Sequence, residues 1–306
     1  MKPSLSAILR GGGLFLCLLG LHLSGNAQEK SAAELFQDND RVILIGGTFA
    51  SRAQYFGHFE AALQRAFPEK KLTVRNLGWS GDEVSLMPRP LNFLTLEENL
   101  DQWEADVVFL CFGSNEAFAG EAGLKKFEAD YRNLLERISP ITDRLVFVSP
   151  IAHEKLPPFP DPAKRNQDLE KYTAVIRKLA SERKAPFVDL FHSSRTIMAQ
   201  NYQKSLTING LHLTEEGYRV VSSIVAAEMG WPQPGQTDES VSEELRQLII
   251  EKNRQFFLRW RPVNAEYVFG RRNKPFGIVS YPPEMKQLEE QVAELDEQIH
   301  EMVQSK

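Results

Sequence analysis

Short apolar runs alternate with longer amphipathic segments along most of the chain, from residue 41 to residue 230. A short run rich in β-branched residues is typical of a strand buried on both faces, whereas apolar positions three and four residues apart are typical of a helix. Five strands are predicted, over residues 42–45, 72–75, 107–112, 145–149 and 187–190. Five helices are predicted between and after them, over residues 50–67, 96–103, 124–138, 166–183 and 215–229.

The alternation of strands and helices indicates an α/β fold. Because the strands are apolar on both faces, we expect a parallel five-stranded sheet with helices on each side, which is a doubly wound, three-layer arrangement. In such sheets ligands bind beyond the carboxyl ends of the strands. The loops that follow the strands are therefore expected to carry the chemistry.

The C-terminal part of the chain has a different pattern. A Pro- and Gly-rich stretch, 231–236, marks a boundary, and a helix over 243–260 and an irregular segment over 266–283 are predicted after it. Further on, a heptad-like stripe of apolar residues stands at positions 285, 288, 292, 295, 299 and 302. Two alternatives stay open for this last helix of the extension 231–306: it docks on the domain 36–230, or it makes a weak contact in an oligomer.

The first 27 residues have the layout of a secretory signal peptide. Lys2 and Arg10 precede a short apolar run, 14–23, and small residues lead to a cleavage site at Ala27. The run is short for a bilayer span, so retention as a membrane anchor is the weaker alternative. We expect export to the periplasm or the outside of the cell, with no stable membrane insertion after cleavage of residues 1–27.

Composition and charge narrow the classes of partner. A chain of 306 residues with 42% hydrophobic and 25% charged residues is long enough for one α/β domain with additions. The formal net charge is −5, and it becomes −7 without residues 1–27, which carry two cations and no acidic residue. This argues against nucleic acid as a partner, since a phosphate backbone needs a concentrated basic face. Cys111, the one cysteine beyond the leader, is expected to be a buried, inert thiol.

Four loops that are distant in sequence carry polar residues of the kinds found in hydrolase sites. The residues are Gly47 and Thr48 after the first strand, Trp79, Gly81 and Asp82 after the second, Asn115 and Glu116 after the third, and Asn209 and His212 before the last helix of the domain. Because the carboxyl ends of parallel strands meet at one edge of a sheet, we expect these loops to converge.

These loops resemble the motif blocks of the SGNH hydrolases, also called GDSL-like lipases and esterases. In that family the first block supplies a nucleophilic serine, and the second and third supply a backbone N–H and an Asn side chain to an oxyanion hole. The last block supplies a histidine base and the aspartate that orients it. The resemblance extends over residues 41–229, and it implies a flavodoxin-like α/β fold and hydrolysis of esters without a cofactor.

Carried over position by position, the resemblance implies Thr48 as the nucleophile, His212 as the base and Asn209 as the residue that orients the base. Gly81 and Asn115 occupy the positions of the two oxyanion-hole donors. In the family's reaction a hydroxyl attacks an ester carbonyl, the histidine removes its proton, and the N–H donors hold the oxyanion.

Four positions depart from the family pattern. Gly47 and Thr48 replace Asp-Ser, Asn209 replaces the triad aspartate, and Glu116 replaces an aspartate of the third block. The extra methyl group of threonine crowds the attack and restricts χ1. Exchange of aspartate for asparagine in a serine protease lowers turnover by about four orders of magnitude, although Cys-His-Asn arrangements also exist. The outcome depends on whether Asn209 presents its oxygen or its NH₂ group to His212.

Taken singly, the same residues have ordinary structural interpretations. Thr48 fits the N-cap of the helix that follows it, and Gly81 fits a turn. Asn115 fits an Asx turn, and His212 fits the entry to a helix. Their joint occurrence, in the family's order and at the ends of the predicted strands, favours a shared ligand-binding or catalytic pocket.

Further residues near these loops are candidates for contacts with substrate. Trp79, Arg89 and Asn92 lie in a long Pro-rich loop, where aromatic and cationic side chains suit stacking on sugars and pairing with anions. The other candidates are Asp82, Glu116 and His153, the last of which is interpreted as a pocket wall or an assisting base.

The sequence as a whole predicts an exported hydrolase that cleaves an ester, such as an O-acyl group on a carbohydrate or another small molecule. No metal site or cofactor is expected, because the six histidines form no zinc-binding pattern and the Gly-Gly-Thr turn lacks the lysine of a phosphate-binding loop. Two rival functions are a catalytically impaired module that binds glycan or serves in assembly, and a structural protein that assembles through its last helix.

Overall fold

The structure, a computed structural model, describes residues 35–200, 204–233 and 239–305. A five-stranded parallel sheet lies at its centre, with the strand order β2-β1-β3-β4-β5. The strands are β1 Arg41–Gly46, β2 Thr73–Asn76, β3 Val107–Cys111, β4 Arg144–Val148 and β5 Phe187–Val188. The predicted doubly wound α/β fold is confirmed.

Alternate residues of the central strands pack into opposite layers of the core. In β1, Ile43 and Ile45 belong to one apolar cluster, whereas Val42 and Leu44 belong to the other. Successive side chains of a strand point to opposite faces of the sheet. Both faces are therefore covered, and this double burial is the reason that the strands are uninterrupted apolar runs in the sequence.

Seven helices of the domain surround the sheet: α1 Thr48–Ala53, α2 His58–Ala66, α3 Leu96–Gln102, α4 Gly120–Ile138, α5 Ala163–Arg183, α6 Leu190–Ala199 and α7 Glu215–Glu228. The prediction of a single helix over 50–67 is wrong, because the chain turns at Gly57 with a φ of +68°. A Cβ atom at Gly57 would lie 3.1 Å from the carbonyl oxygen of Arg246. Glycine permits both the left-handed backbone and this close approach.

Helix α6 was not predicted from the sequence. It begins directly after β5, where the side chain of Asp189 accepts the backbone N–H of His192 at 3.1 Å and so caps the helix. The strand predicted over 187–190 is too long for the same reason, since its last two residues belong to the cap and first turn of α6.

Three helices form the described part of the C-terminal extension: α8 Glu239–Trp260, α9 Ala265–Val268 and α10 Ile278–Gln304. The irregular segment predicted over 266–283 is shorter in the structure, because α10 starts before Pro282 and Pro283. The sequence predicts a start of this helix after the prolines, because proline is disfavoured inside helices.

Part of the heptad-like stripe of α10 is buried within the chain. Ile299 is fully buried against Leu245 and Ile249 of α8, and Val292 is also buried. Arg75 of β2 pairs with Asp296 through two contacts of 2.5 and 3.2 Å. The structure therefore shows the docked arrangement of the last helix, and a contact in an oligomer stays a prediction.

The predicted signal peptide, 1–27, lies outside the described residues. Across the three described ranges, no helix has both the length and the apolar character that a membrane crossing requires.

Candidate active site

A small cavity of about 50 Å³ lies at the carboxyl edge of the sheet. Its walls come from the start of α1, from the loops after β2, β3 and β4, and from the loop before α7. The polar and charged wall residues include Thr48, Arg52, Asp82, Asn115, Glu116, His212 and Tyr218. The loops selected from the sequence converge as the topology requires. At ~10–15 Å³ for each water, the cavity has room for roughly four water molecules.

Thr48 is the first residue of α1 and is half-buried in the cavity wall. The N-cap of α1 is Gly47 and no side chain caps this helix, so the interpretation of Thr48 as an N-cap is wrong. A Cβ atom on Gly47 would lie only 2.9 Å from the carbonyl oxygen of Asp82. Glycine in place of the family's aspartate therefore lets the loop after β2 approach the start of α1 closely.

Asn209 is positioned as a partner of the His212 ring. Its amide oxygen accepts the backbone N–H groups of Leu211 at 3.2 Å and of His212 at 2.9 Å. Because these two groups only donate, they set the orientation of the amide. The Nδ1 atom of His212 then lies 3.0 Å from the amide nitrogen and 3.2 Å from the amide oxygen.

This geometry permits two tautomers of His212. If the amide nitrogen of Asn209 donates to Nδ1, the ring proton lies on Nε2, and Nε2 is unable to accept another. If Nδ1–H donates to the amide oxygen, Nε2 is free to act as a base. A carboxylate at position 209 would permit only the second arrangement. Asn209 permits both, and only one of the two tautomers of His212 is able to act as a base.

The electrostatic surroundings of His212 favour its neutral form. Burial lowers the pKa of His212 below its ordinary value of 6.5, and the nearby guanidinium of Arg52 lowers it further. Neutral histidine is the form that accepts a proton. However, the imidazolium that results gains no negative charge from Asn209, in contrast to a triad that contains aspartate.

The two candidate oxyanion donors differ in their placement. Asn115 lines the cavity, and its amide nitrogen would lie 3.8 Å from a Cβ atom on Gly47. Gly81 is exposed, has a φ of +91°, and would meet nothing within 4 Å if it had a Cβ atom. Gly81 lies outside the residues that line the cavity, but it directly precedes Asp82, which lines it.

Glu116 connects the loops that carry these donors. Its carboxylate accepts the backbone N–H groups of Val84 at 3.0 Å and of Gly113 at 2.9 Å. Burial raises the pKa of Glu116 to about 7, although the two hydrogen bonds act in the opposite direction. Glu116 lines the cavity, but its oxygens are engaged in holding the loop after β2 against the loop after β3.

Protein groups contact four more of the predicted substrate-binding residues, which are Trp79, Asp82, Arg89 and Asn92. Arg89 binds both oxygens of Asp82 at 2.8 and 2.6 Å, and its guanidinium lies 4.4 Å from the ring centroid of Trp79. Arg261 of the C-terminal extension lies 3.4 Å from the same centroid. The amide nitrogen of Asn92 donates to the carbonyl oxygen of Phe269 at 2.8 Å. Trp79, Arg89 and Asn92 lie outside the cavity lining.

His153 lies near His212 but also outside the cavity lining. Its Nε2 atom is buried and has no hydrogen-bond partner within the described ranges. Burial, followed by the positive potentials of Arg165 and His212, lowers the pKa of His153 to about 4. His153 is therefore neutral at physiological pH, in a position next to the site.

Arg52 and Tyr218 line the cavity and Glu154 holds one of its loops, and none of the three was predicted from the sequence. Arg52 lies four residues after Thr48 on α1, a spacing that places both side chains on one face of a helix and that was available as a signal. Glu154, after β4, accepts the backbone N–H groups of Leu206 at 3.1 Å and Thr207 at 2.8 Å, and the hydroxyl of Thr207 at 2.6 Å. No local pattern joins Glu154 to a loop about fifty residues away.

Other chemistries find little support at this site. Burial raises the pKa of the Cys111 thiol to about 12, so the reactive thiolate is disfavoured. The described part of the chain contains no group of three or more His, Cys, Asp or Glu side chains that could hold a metal ion.

Comparisons with known proteins agree with the geometry. A profile of the GDSL-like lipase/acylhydrolase family matches residues 43–220, more than half of the chain. An acetylxylan esterase from Geobacillus stearothermophilus has the same fold, with a TM-score of 0.51 and 18% identity over 65% of this chain and 99% of that enzyme. An alpha/beta hydrolase from the metagenome of Lake Arreo, Spain, gives a TM-score of 0.51 and 19% identity over 65% of this chain and 99% of its own. No curated protein matches the sequence.

Proposed function

Since this chain belongs to the GDSL-like lipase/acylhydrolase family and is thus a hydrolase that acts on esters, we propose that it is an exported enzyme that removes small acyl groups from carbohydrate. The observation that carries this proposal is the convergence of Thr48, His212 and Asn115 on one cavity. The cavity, of about 50 Å³, suits an acyl group of acetyl size. One protein of the same fold is an acetylxylan esterase, which supports a carbohydrate ester as the substrate.

In the proposed first step, the hydroxyl oxygen of Thr48 attacks the ester carbonyl carbon. The hydroxyl proton passes to Nε2 of His212, whose Nδ1–H is held by the amide oxygen of Asn209. The side-chain N–H of Asn115 holds the negative carbonyl oxygen, and the backbone N–H of Gly81, which precedes Asp82 in the cavity wall, is the second donor that the family pattern implies. Collapse of the tetrahedral intermediate breaks the bond to the alcohol, which takes the proton from His212 and leaves an acyl group on Thr48.

In the second step, water takes the place of the alcohol. His212 removes a proton from the water as its oxygen attacks the acyl carbon, and the bond to Thr48 then breaks. The threonine oxygen recovers the proton from His212, and the carboxylic acid leaves. The sum of the two steps is one ester and one water converted to one acid and one alcohol.

Export is proposed on the layout of residues 1–27, with two cations before an apolar run and small residues at the end. Secretion suits a substrate that the cell meets outside its cytoplasm, such as an acylated polysaccharide.

The test is the hydrolysis of 4-nitrophenyl acetate by residues 28–306 and by two variants. Thr48→Ala should reduce the rate to that of buffer, because the attacking oxygen is gone. The double variant Thr48→Ser with Asn209→Asp should exceed the wild-type rate by tenfold or more, since serine lacks the crowding methyl group and a carboxylate stabilises the imidazolium.

A different result would refute the assignment of residues. If the wild type and Thr48→Ala hydrolyse the ester at the same rate above background, Thr48 is not the nucleophile. Circular dichroism of both variants shows whether the fold is retained. The matched threonine control is Thr142→Ala, which lies two residues before β4 and outside the cavity lining.

A further inference from the structure

The guanidinium of Arg52 is the feature of the cavity that the proposed reaction does not use. Arg52 lines the cavity with Thr48 and His212 and is half-buried. Its Nη2 donates to the carbonyl oxygen of Leu213 at 3.3 Å, and the hydroxyl of Tyr218 lies within hydrogen-bonding reach. Its Nε is buried and meets no acceptor among the residues that the structure describes. Arg52 therefore keeps donor capacity, since a guanidinium has five N–H groups.

No described acidic side chain neutralises Arg52. Two carboxylates line the same cavity, but Asp82 is bound through both oxygens by Arg89. The other, Glu116, accepts two backbone N–H groups. The described contacts of Arg52 are to the carbonyl oxygen of Leu213, the hydroxyl of Tyr218 and the ring of Phe56, and none of these is an ion pair. Partial burial of a cation without a counterion costs free energy, and a bound anion would offset that cost.

Proton transfer to His212 would also be favoured by a negative charge nearby. The position that holds aspartate in the family is Asn209 here, so the cavity lacks the negative charge that would stabilise an imidazolium. Arg52 adds a positive charge nearby and lowers the pKa of His212. An anion bound to Arg52 would offset that effect when His212 accepts the proton.

We propose that the ester substrate carries a carboxylate and that Arg52 binds this carboxylate beside the scissile bond. A guanidinium and a carboxylate match in a two-point contact, which is stronger and more directional than a neutral hydrogen bond. This inference rests on the proposed function, because it names the substrate class of the same site. The carboxylate has two chemical sources, namely a sugar acid on the alcohol side of the ester or a dicarboxylic acid on the acyl side.

Two matched pairs of substrates separate these sources. On the alcohol side, mono-O-acetylated methyl glucuronoside is compared with mono-O-acetylated methyl glucoside. On the acyl side, methyl hydrogen succinate is compared with methyl butyrate. Proton release in a pH-stat gives kcat/KM for each ester. We expect the wild type to prefer the charged member of one pair by about tenfold or more, which is the size of one charge-assisted contact.

Variants of Arg52 distinguish recognition from a structural role. Arg52→Gln should abolish the preference between charged and neutral esters, and Arg52→Lys should retain part of it. Loss of a merely structural contact would lower the rates of both esters equally and leave their ratio unchanged. Arg254→Gln, an exposed arginine of α8 that pairs with Glu251, is the matched control and should keep the wild-type ratio.

A binding measurement separates this inference from the proposed function. Glucuronate or succinate, added to the wild type, should shift the NMR signals of the His212 imidazole, and Arg52→Gln should abolish the shift. If no ester is hydrolysed but the shift is present, the carboxylate site stands and the Thr48 reaction falls. If esters are hydrolysed with equal rates for charged and neutral members and no shift occurs, the inference is overturned and the reaction stands.

Discussion

At the scale of single residues, Glu116 shows how burial and hydrogen bonding compete. Two backbone N–H groups favour its charged form, whereas removal from water favours its neutral form. Burial is the larger effect, so the pKa rises to about 7. The charge of this one side chain therefore changes within the range of pH in which the protein is assayed.

The raised pKa of Glu116 predicts a dependence of stability on pH. Between its ordinary value of 4.5 and about 7, folded Glu116 holds a proton that the unfolded chain has released. Its contribution to the free energy of unfolding is thus present below pH 4.5 and is lost as the pH rises through 7, by up to about 3 kcal/mol. Urea unfolding of the wild type and of Glu116→Gln at pH 5 and pH 7.5 measures it, and parallel pH profiles for the two proteins would contradict the assignment.

At the scale of elements, the loop that carries Asn209 and His212 owes its shape to one carboxylate outside it. Glu154 accepts three hydrogen bonds from Leu206 and Thr207, and its backbone N–H donates to the carbonyl oxygen of Gly210 at 2.8 Å. The hydroxyl of Thr207 also accepts the N–H of Gly210 at 2.9 Å. A loop without regular structure is held in this way at the edge of the sheet.

Glu154→Gln should loosen this loop without unfolding the domain. An amide keeps the size of the side chain but places an NH₂ group against N–H and O–H donors, so at least one hydrogen bond is lost. A hydrogen bond to a charged acceptor contributes about 1.5–3 kcal/mol to the free energy of unfolding. We expect kcat to fall about tenfold or more and amide exchange at Thr207 and Gly210 to accelerate, while exchange in β1 stays slow. The control is Glu170→Gln, which changes an exposed carboxylate of α5 and should alter neither kcat nor amide exchange in the loop. If amide exchange in the loop is unchanged in Glu154→Gln, the carboxylate of Glu154 does not hold the loop.

At the scale of the whole molecule, buried charges attach the C-terminal extension to the domain. Lys252 of α8 is fully buried, and its ammonium group donates to Glu60 of α2 at 2.8 Å and to the carbonyl oxygen of Val74 at 2.9 Å. Burial raises the pKa of Glu60 although Lys252 opposes this effect. Trp260 at the end of α8 donates to Asn99 at 2.9 Å. The extension thus belongs to the same folded unit as the domain, and its Trp260 also packs on Trp79, with the ring centroids 5.6 Å apart.

Removal of one partner of this pair should be strongly destabilising. Lys252→Met leaves Glu60 buried without a cation, which typically costs about 3–5 kcal/mol of the free energy of unfolding. Glu60→Gln combined with Lys252→Met should recover part of that loss, because neither residue of the pair is then charged. Lys286→Met, an exposed lysine of α10, should change the stability by less than about 0.5 kcal/mol. An unfolding midpoint of Lys252→Met equal to that of the wild type would show that the pair does not secure the extension.

Much of the fold followed from the sequence because its signals are local. Buried strands require apolar side chains on both faces, and surface helices require an apolar stripe, so both leave periodic patterns in a single chain. Topology then placed Thr48, Asn115 and His212 at one edge of the sheet, since parallel strands end together. The points where helices begin and end were harder to predict. Gly57 divides a predicted helix because it packs against α8, which is distant in sequence. Asp189 caps a helix that was not predicted, because the cap overlaps the end of a predicted strand.

The tertiary structure alone decided how the site is built. The partners of Glu116, Glu154 and Arg89 are backbone groups or side chains that meet only after folding, so the sequence did not distinguish a substrate contact from a support. The orientation of the Asn209 amide depends on two N–H groups in the folded loop. The sequence by itself determined which residue types are available at the edge of the sheet. The folded structure decided which of their charges are neutralised, since only folding brings ions to within a few ångströms of one another. It also decided that the charge of Arg52 faces the cavity without a described counterion.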